Sequence, residues 1–312
     1  SLIRSAMQSG QRLVPLVRNP SVRRALSTVI APSLLSRLTA LRHELHKTPE
    51  ASGQEVETAA QIEAYLKGLA PDTLHTQVGG HGILAEYMFG QEIDNPKTVI
   101  IRADMDAVPV ARDGRPYSHS CGHDGHCVMA LGALEHLMGL GPELSGRVIV
   151  VFQPAEENGE GAISVLSDPK FKSLEIDPEH THCIALHNIP GYKEAAVIMP
   201  INSFASASMG VSIRITGHSA HASCPQEGKN PFDPIMSFGP FLSSLPRQIA
   251  GYERTLMATP VHVSVGKTWN FGTAPPDGEV ALTLRGPSTK DILLMKEEIE
   301  RILRSRFTRG DI

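Results

Sequence analysis

Little in this sequence of 312 residues ties it to a charged polymer or a bilayer. Its 29 Lys and Arg stand against 33 Asp and Glu, a formal net charge of −4. That is not the basic excess that draws a chain to nucleic acid. No apolar run reaches the ~18 residues that a membrane-spanning helix needs. Neither nucleic acid nor a membrane is therefore expected as a partner. Cysteine is scarce as well. Cys121, Cys127, Cys183 and Cys224 follow no framework spacing, so in a chain this long they read as free thiols or metal ligands in a reducing compartment. Internal repeats and low-complexity tracts are absent.

One absence is local. From Ser1 to His43 there is no acidic residue, while Arg4, Arg12, Arg18, Arg23, Arg24, Arg37 and Arg42 are spread through the stretch with Ser and apolar residues between them. This is the composition of an organelle transit peptide, and Val22 to Ser27 resembles a processing site. Residues 1–36 are accordingly expected to be a basic extension addressed to a mitochondrion or another organelle. A solvated basic helix on a cytoplasmic protein is the alternative.

The remaining length suffices for two cores. Helices are predicted from Leu34 to Thr48 and from Glu55 to Leu69, the second carrying Val56, Ala59, Ile62, Leu66 and Leu69 near one face. Short strands follow at Leu74 to Val78 and Ile83 to Met88, joined by a glycine-rich turn. Thr98 to Ile101, Arg147 to Phe152 and His182 to Leu186 read as buried strands, with a helix from about His126 to Leu140 after the first of them. Strands alternating with helices, with polar residues at strand ends, indicate an α/β domain over 37–204 with a mostly parallel, mixed sheet. In 205–312 the order changes to β-α-β-β-α (Ser208 to Thr216, Pro231 to Leu245, Val261 to Val265, Glu279 to Arg285, Thr289 to Phe307). This is a ferredoxin-like unit lacking its last strand.

The residues able to do chemistry cluster at strand ends, where open α/β sheets place their ligand sites. The richest stretch, Ser120 to Cys127, reads S-C-G-H-D-G-H-C. Cys121 and His123 alternate in an expected loop and can turn to one point, and a thiolate with an imidazole suits zinc or a similar metal. Glu156 and Glu157 follow the strand V-I-V-V-F, and His187 follows the next strand. On an extended backbone the two adjacent carboxylates diverge, one free to hold a metal and the other to move a proton. Taken singly each signal is weak, since a lone Cys or His is usually a core residue and a Glu pair usually a solvated face. Their ordered co-occurrence is what points to a hydrolytic metal centre. His126, three residues beyond His123, reads as packing or support.

The strings A-D-M-D-A-V-P (Ala103 to Pro109), C-G-H-D-G-H, F-Q-P-A-E-E and A-L-H-N resemble the aminoacylase and auxin-conjugate hydrolase branch of the metal-dependent amidohydrolase and carboxypeptidase superfamily, peptidase family M20. The likeness begins near Arg42-His43-Glu44-Leu45-His46, with Pro49-Glu50. It runs through G-H-S-A-H-A (Gly217 to Ala222) and F-G-T-A-P (Phe271 to Pro275) to about Arg285. It implies a zinc-peptidase-like catalytic domain and an inserted ferredoxin-like lid through which two chains pair. It further implies two divalent ions (Zn or Mn, with Co or Ni as alternatives) held by Cys121, His123, Glu157 and His187. Glu156 would be general base and acid, Asp106 would orient a ligating or catalytic group, and His221 and Asn188 would meet substrate. The implied reaction is hydrolysis of an N-acyl amino acid or related small amide. A dipeptidase or carboxypeptidase is the enzymatic alternative, and an inactive homologue serving as a dimerisation partner the non-enzymatic one. Relatives of that branch return from the lid to the catalytic domain and supply a last metal-binding histidine. The resemblance thus places the last lid strand, the closing part of the catalytic domain and one ligand outside these 312 residues.

Overall fold

In the computed structural model the described residues are 31–90, 96–110, 114–141, 144–193, 196–199, 205–250 and 255–306. The expected transit segment falls almost wholly outside them. The chain divides into two compact units between Ala196 and Val197. No described helix is long and apolar enough to cross a membrane.

The first unit opens with helix α1 (Pro32–Lys47), whose proline sits in the first turn where its missing N–H costs nothing. Thr48 precedes Pro49 and is pushed out of helical conformation, so α1 stops there. Helix α2 is Val56–Gly68, and strands β1 (Thr73–Val78) and β2 (Gly82–Phe89) form an antiparallel hairpin. Next come β3 (Thr98–Asp104), helix α3 (His123–Gly139) and β4 (Gly146–Gln153). Short helices α4 (Gly161–Ser167) and α5 (Pro169–Lys172) and strand β5 (Thr181–Ala185) complete the unit. The two short helices had no counterpart in the sequence reading.

The five strands lie in the order β1-β2-β4-β3-β5. The sheet is mixed, as expected: β2 runs antiparallel to β4, whereas β3 is parallel to both β4 and β5. Central β4 is buried on both faces, which explains its unbroken apolar run. Val148, Val150 and Phe152 face a core closed by α1, α2 and α3 through Leu38, Leu45, Ile62, Leu66, Leu131 and Leu134. Ile149 and Val151 point the other way, with Leu84, Ile100, Val165 and Leu174. This is the two-residue period of a strand, and each fully buried side chain is worth about 1.5–3 kcal/mol.

The second unit contains β6 (Ala207–Thr216), β7 (Ala220–His221), α6 (Phe232–Ala250), β8 (Met257–Val265), β9 (Thr273–Ala274), β10 (Asp277–Gly286) and α7 (Thr289–Arg306). Its three long strands pair antiparallel in the order β6-β10-β8. One core joins sheet and helices: Ile213, Ile215, Val280, Leu282 and Leu284 pack on Phe238 and Leu242 of α6 and on Met295 and Ile299 of α7. The β-α-β-β-α order matches the sequence reading. A small ribbon, β7 paired with β9, is added to it and carries His221.

Candidate metal centre

The donors gather at the C-terminal ends of β3, β4 and β5, three adjacent strands running the same way. Gly122 links the donors Cys121 and His123. It takes a left-handed φ of +97°, and a β-carbon there would meet Asn188 Oδ1 at 2.4 Å, so the position needs glycine. Helix α3 then starts at His123, three residues earlier than the spacing suggested. His123 is thus the first residue of a helix and not part of a loop with Cys121.

His123 is fully buried, and neither ring nitrogen has a hydrogen-bond partner. Nδ1 lies 3.3 Å from Asp106 Oδ1 without hydrogen-bond geometry. Nε2 lies 3.5 Å from Glu157 Oε1 and 3.9 Å from Glu156 Oε2. Cys121 Sγ stands 3.4 Å from His187 Nε2, and the two histidine rings meet edge to face, centroids 6.0 Å apart. Three triads have their donor atoms within 4.8 Å of one another: Cys121, His123 and His187; His123, Glu156 and Glu157; and Asp104, His123 and His126.

The two glutamates are not on extended backbone. They occupy a turn after β4 that begins at Ala155, whose φ is +51°. Their carboxylates consequently converge on His123 Nε2 instead of diverging. Asp106 fastens this turn, its Oδ2 accepting the Glu157 N–H at 2.9 Å and the Ser52 hydroxyl at 2.7 Å.

Sequence reasoning missed the part played by Asp104. It is buried, takes Arg102 Nη1 at 2.7 Å and His126 Nδ1 at 2.6 Å, and its backbone carbonyl accepts the Cys127 thiol. The signal was its position two residues before Asp106, which places both carboxylates on the same side of the strand end. His126 is held from its other nitrogen by Asn188, with Oδ1 at 2.6 Å. Both nitrogens of His126 are thus engaged, and so is the Asn188 side chain that the resemblance assigned to substrate. His221 lies in the second unit, exposed on the ribbon, with Nδ1 2.8 Å from the Ser223 hydroxyl.

The electrostatics are those of crowded acceptors. Burial opposes charge on Asp106, but His123, the Glu157 N–H and Ser52 outweigh it and hold the carboxyl at about 2. Asp104 is likewise lowered, burial being overcome by His126, His123 and Arg102. Burial works against a cationic His123, yet Asp106, Asp104 and Glu157 together raise its pKa. Burial and the neighbouring Glu157 push the Cys121 thiol up to about 12, and burial with Glu157 and Asp104 raises Glu156. The His123 imidazole and the two glutamate carboxylates, at 3.5 and 3.9 Å, are too far apart to bond one another well. A buried polar atom without a partner is costly. A divalent cation fits this set: it would satisfy His123 Nε2, turn carboxylate repulsion into ligation and draw the proton from Cys121.

Known proteins place the chain. Peptidase family M20/M25/M40 matches residues 100–291, a stretch that includes every donor above. The N-acetyl-L-cysteine deacetylase of Bacillus subtilis is 31% identical over 253 residues, 76% of this chain and 57% of that one. The hippurate hydrolase of Campylobacter jejuni is 25% identical over 280 residues, 87% of this chain and 70% of that one. A crystal structure from Bacillus subtilis, a dinuclear metal-binding peptidase of the M20 family, superposes with a TM-score of 0.57 at 26% identity, covering 88% of this chain and 70% of its own. The chain spans roughly three fifths of the length of the first curated relatives it matches. The match over most of its length and the cluster of thiol, imidazole and carboxylate donors lead to one assignment: the chain belongs to peptidase family M20/M25/M40.

Proposed function

We propose that this chain carries the metal-binding half-site and the proton-transfer carboxylate of an amidohydrolase acting on N-acyl amino acids or related small amides. The observation that carries the reading is His123: buried, free of hydrogen bonds, with its Nε2 facing both glutamates. Cys121, His123, Glu157 and His187 would hold divalent cation, zinc or manganese by donor type, with two ions in the complete centre. Bound there, the metal would supply Lewis acidity to a water and to the scissile carbonyl. Glu156 accepts the proton of the attacking water on its carboxylate and returns it to the departing amide nitrogen. Asp106 keeps the glutamate turn and the His123 ring in register.

The N-acyl reading is favoured over a dipeptidase because the relatives above are named for deacetylation of N-acetylcysteine and hydrolysis of hippurate. His221 would meet the substrate carbonyl, and Asn188 would contact it only by leaving His126. In the second unit β8 is an edge of the described three-stranded sheet, and open edges pair with other chains. This supports a homodimer through this unit, and light scattering that found a clean monomer at micromolar concentration would remove it. Residues 1–36 would direct the protein to an organelle, which imaging of a fusion carrying only that segment decides.

Metal titration and turnover of two adjacent variants test the central reading. Glu156→Gln should retain metal and lose roughly 10² to 10⁴ in turnover of N-acetyl or N-benzoyl amino acids. Glu157→Gln should lose metal first. A wild-type rate for Glu156→Gln, or no metal bound by the unmodified protein, overturns it.

A further inference from the structure

Ala155 is buried and holds a φ of +51°, a left-handed conformation that is unfavourable for any residue with a β-carbon. Such backbone persists only where its surroundings over-determine it. Here the Ala155 carbonyl accepts the Gly161 N–H at 2.9 Å, and the Ala155 N–H donates to Glu55 Oε1 at 2.7 Å.

Glu55 is an unusual partner. It sits a hundred residues earlier, in the connection between α1 and α2, and is fully buried. It occupies the N-cap position of α2 but makes no side-chain cap to that helix. Instead Oε1 takes two backbone N–H groups, those of Ala155 and of Gly53 at 2.8 Å, while the buried Oε2 has no hydrogen-bond partner. Burying a carboxylate on so few donors is costly, and a helix cap alone would need only Ser, Thr, Asp or Asn. The same connection sends the Ser52 hydroxyl to Asp106 Oδ2, which also accepts the Glu157 N–H. Residues 52–55 therefore reach both ends of the glutamate turn.

We infer that Glu55 is a positioning residue for the metal centre: by holding Ala155 left-handed it aims the carboxylates of Glu156 and Glu157 at His123. The inference rests on the reading of those glutamates given above. It acts through the backbone, so removing Glu55 should release the turn without disturbing β3 or β4. Glycine at position 155 should make the brace dispensable, because glycine adopts the left-handed conformation unaided.

Two measurements on the full chain test it. The first is amide hydrogen exchange of the metal-free protein. Glu55→Ala, and Glu55→Asp with its acceptor pulled back by one methylene, should exchange faster across residues 154–161 with β3 and β4 unchanged. Glu55→Gln, which keeps a carbonyl acceptor, should match the wild type. If Glu55→Ala is poorly soluble, the Asp and Gln pair decides alone. Unaltered exchange in 154–161 overturns the inference, as does loss of protection spread over the whole unit. The second is Zn²⁺ or Co²⁺ affinity by competition with a chelator. Glu55→Ala should weaken binding roughly 10- to 100-fold, and adding Ala155→Gly should recover several-fold of that loss. Strictly additive effects of the two substitutions would count as refutation, since residues acting through one contact must couple. If the unmodified chain binds neither ion, the proposed function fails, and the exchange measurement still decides the role of Glu55.

Discussion

Asp106 and Glu157 are joined through the backbone of one and the side chain of the other: the Glu157 N–H donates to Asp106 Oδ2 at 2.9 Å. The glutamate carboxylate takes no part in that bond and stands 3.5 Å from His123 Nε2. A single aspartate at the end of β3 thus fixes a residue that follows β4, and does so without occupying its reactive atoms.

The neighbouring Asp104 should prove a major structural element in its own right. It is buried between Arg102 and His126, and truncation leaves Arg102 Nη1 and His126 Nδ1 without the carboxylate they share. Asp104→Ala should cost about 3–5 kcal/mol of stability, read from urea denaturation of the metal-free chain.

Acid should expose the same pair. Both Asp104 and Asp106 have folded pKa values below the ordinary carboxylate range, Asp106 at about 2. Groups shifted downward contribute stability that is complete above the unfolded value near ~3.9 and is lost as pH falls through the folded value. Metal-free protein should therefore lose stability between about pH 5 and pH 2, and Asp106→Asn should flatten that part of the pH profile.

Gly122→Ala should damage the centre from the backbone side. A left-handed alanine costs roughly 1–2 kcal/mol, and its β-carbon would overlap the Asn188 amide and displace it. Thermal denaturation should show the loss, and the displaced Asn188 should free His126, visible as a shift of its ring resonances.

Deep in the sheet the effect is one of packing alone. Phe152 is fully buried between the strands and the helices α1 to α3. Phe152→Ala should destabilise the first unit by about 3–5 kcal/mol, measured by denaturant unfolding.

How legible these features were depended on whether their causes were local. The run V-I-V-V-F announced a strand buried on both faces, and β4 is that strand. The strand expected from Ser208 to Thr216 is likewise β6, whose alternate residues Met209, Val211, Ile213 and Ile215 pack on one core. The start of α3 was misplaced because Gly122, in its left-handed conformation, lets the helix begin one residue after itself. The glutamate turn was misread as extended because alanine at 155 gives no hint of a positive φ. Its cause lies in Glu55, far away in sequence, and no periodicity reports such a contact. The engagement of Asn188 with His126 was hidden for the same reason.

The order β4-β3-β5 has a thermodynamic consequence. Cys121 and His123 come after β3, the glutamates after β4 and His187 after β5, so no short piece of chain holds the donor set. An unfolded chain would then compete poorly for a cation that the folded one would hold between three strands. A metal that binds only the folded form adds about 2.7 kcal/mol when its free concentration is a hundred times its dissociation constant. The melting temperature of this protein would accordingly track the free cation concentration around it, turning an ordinary calorimeter into a gauge of metal supply.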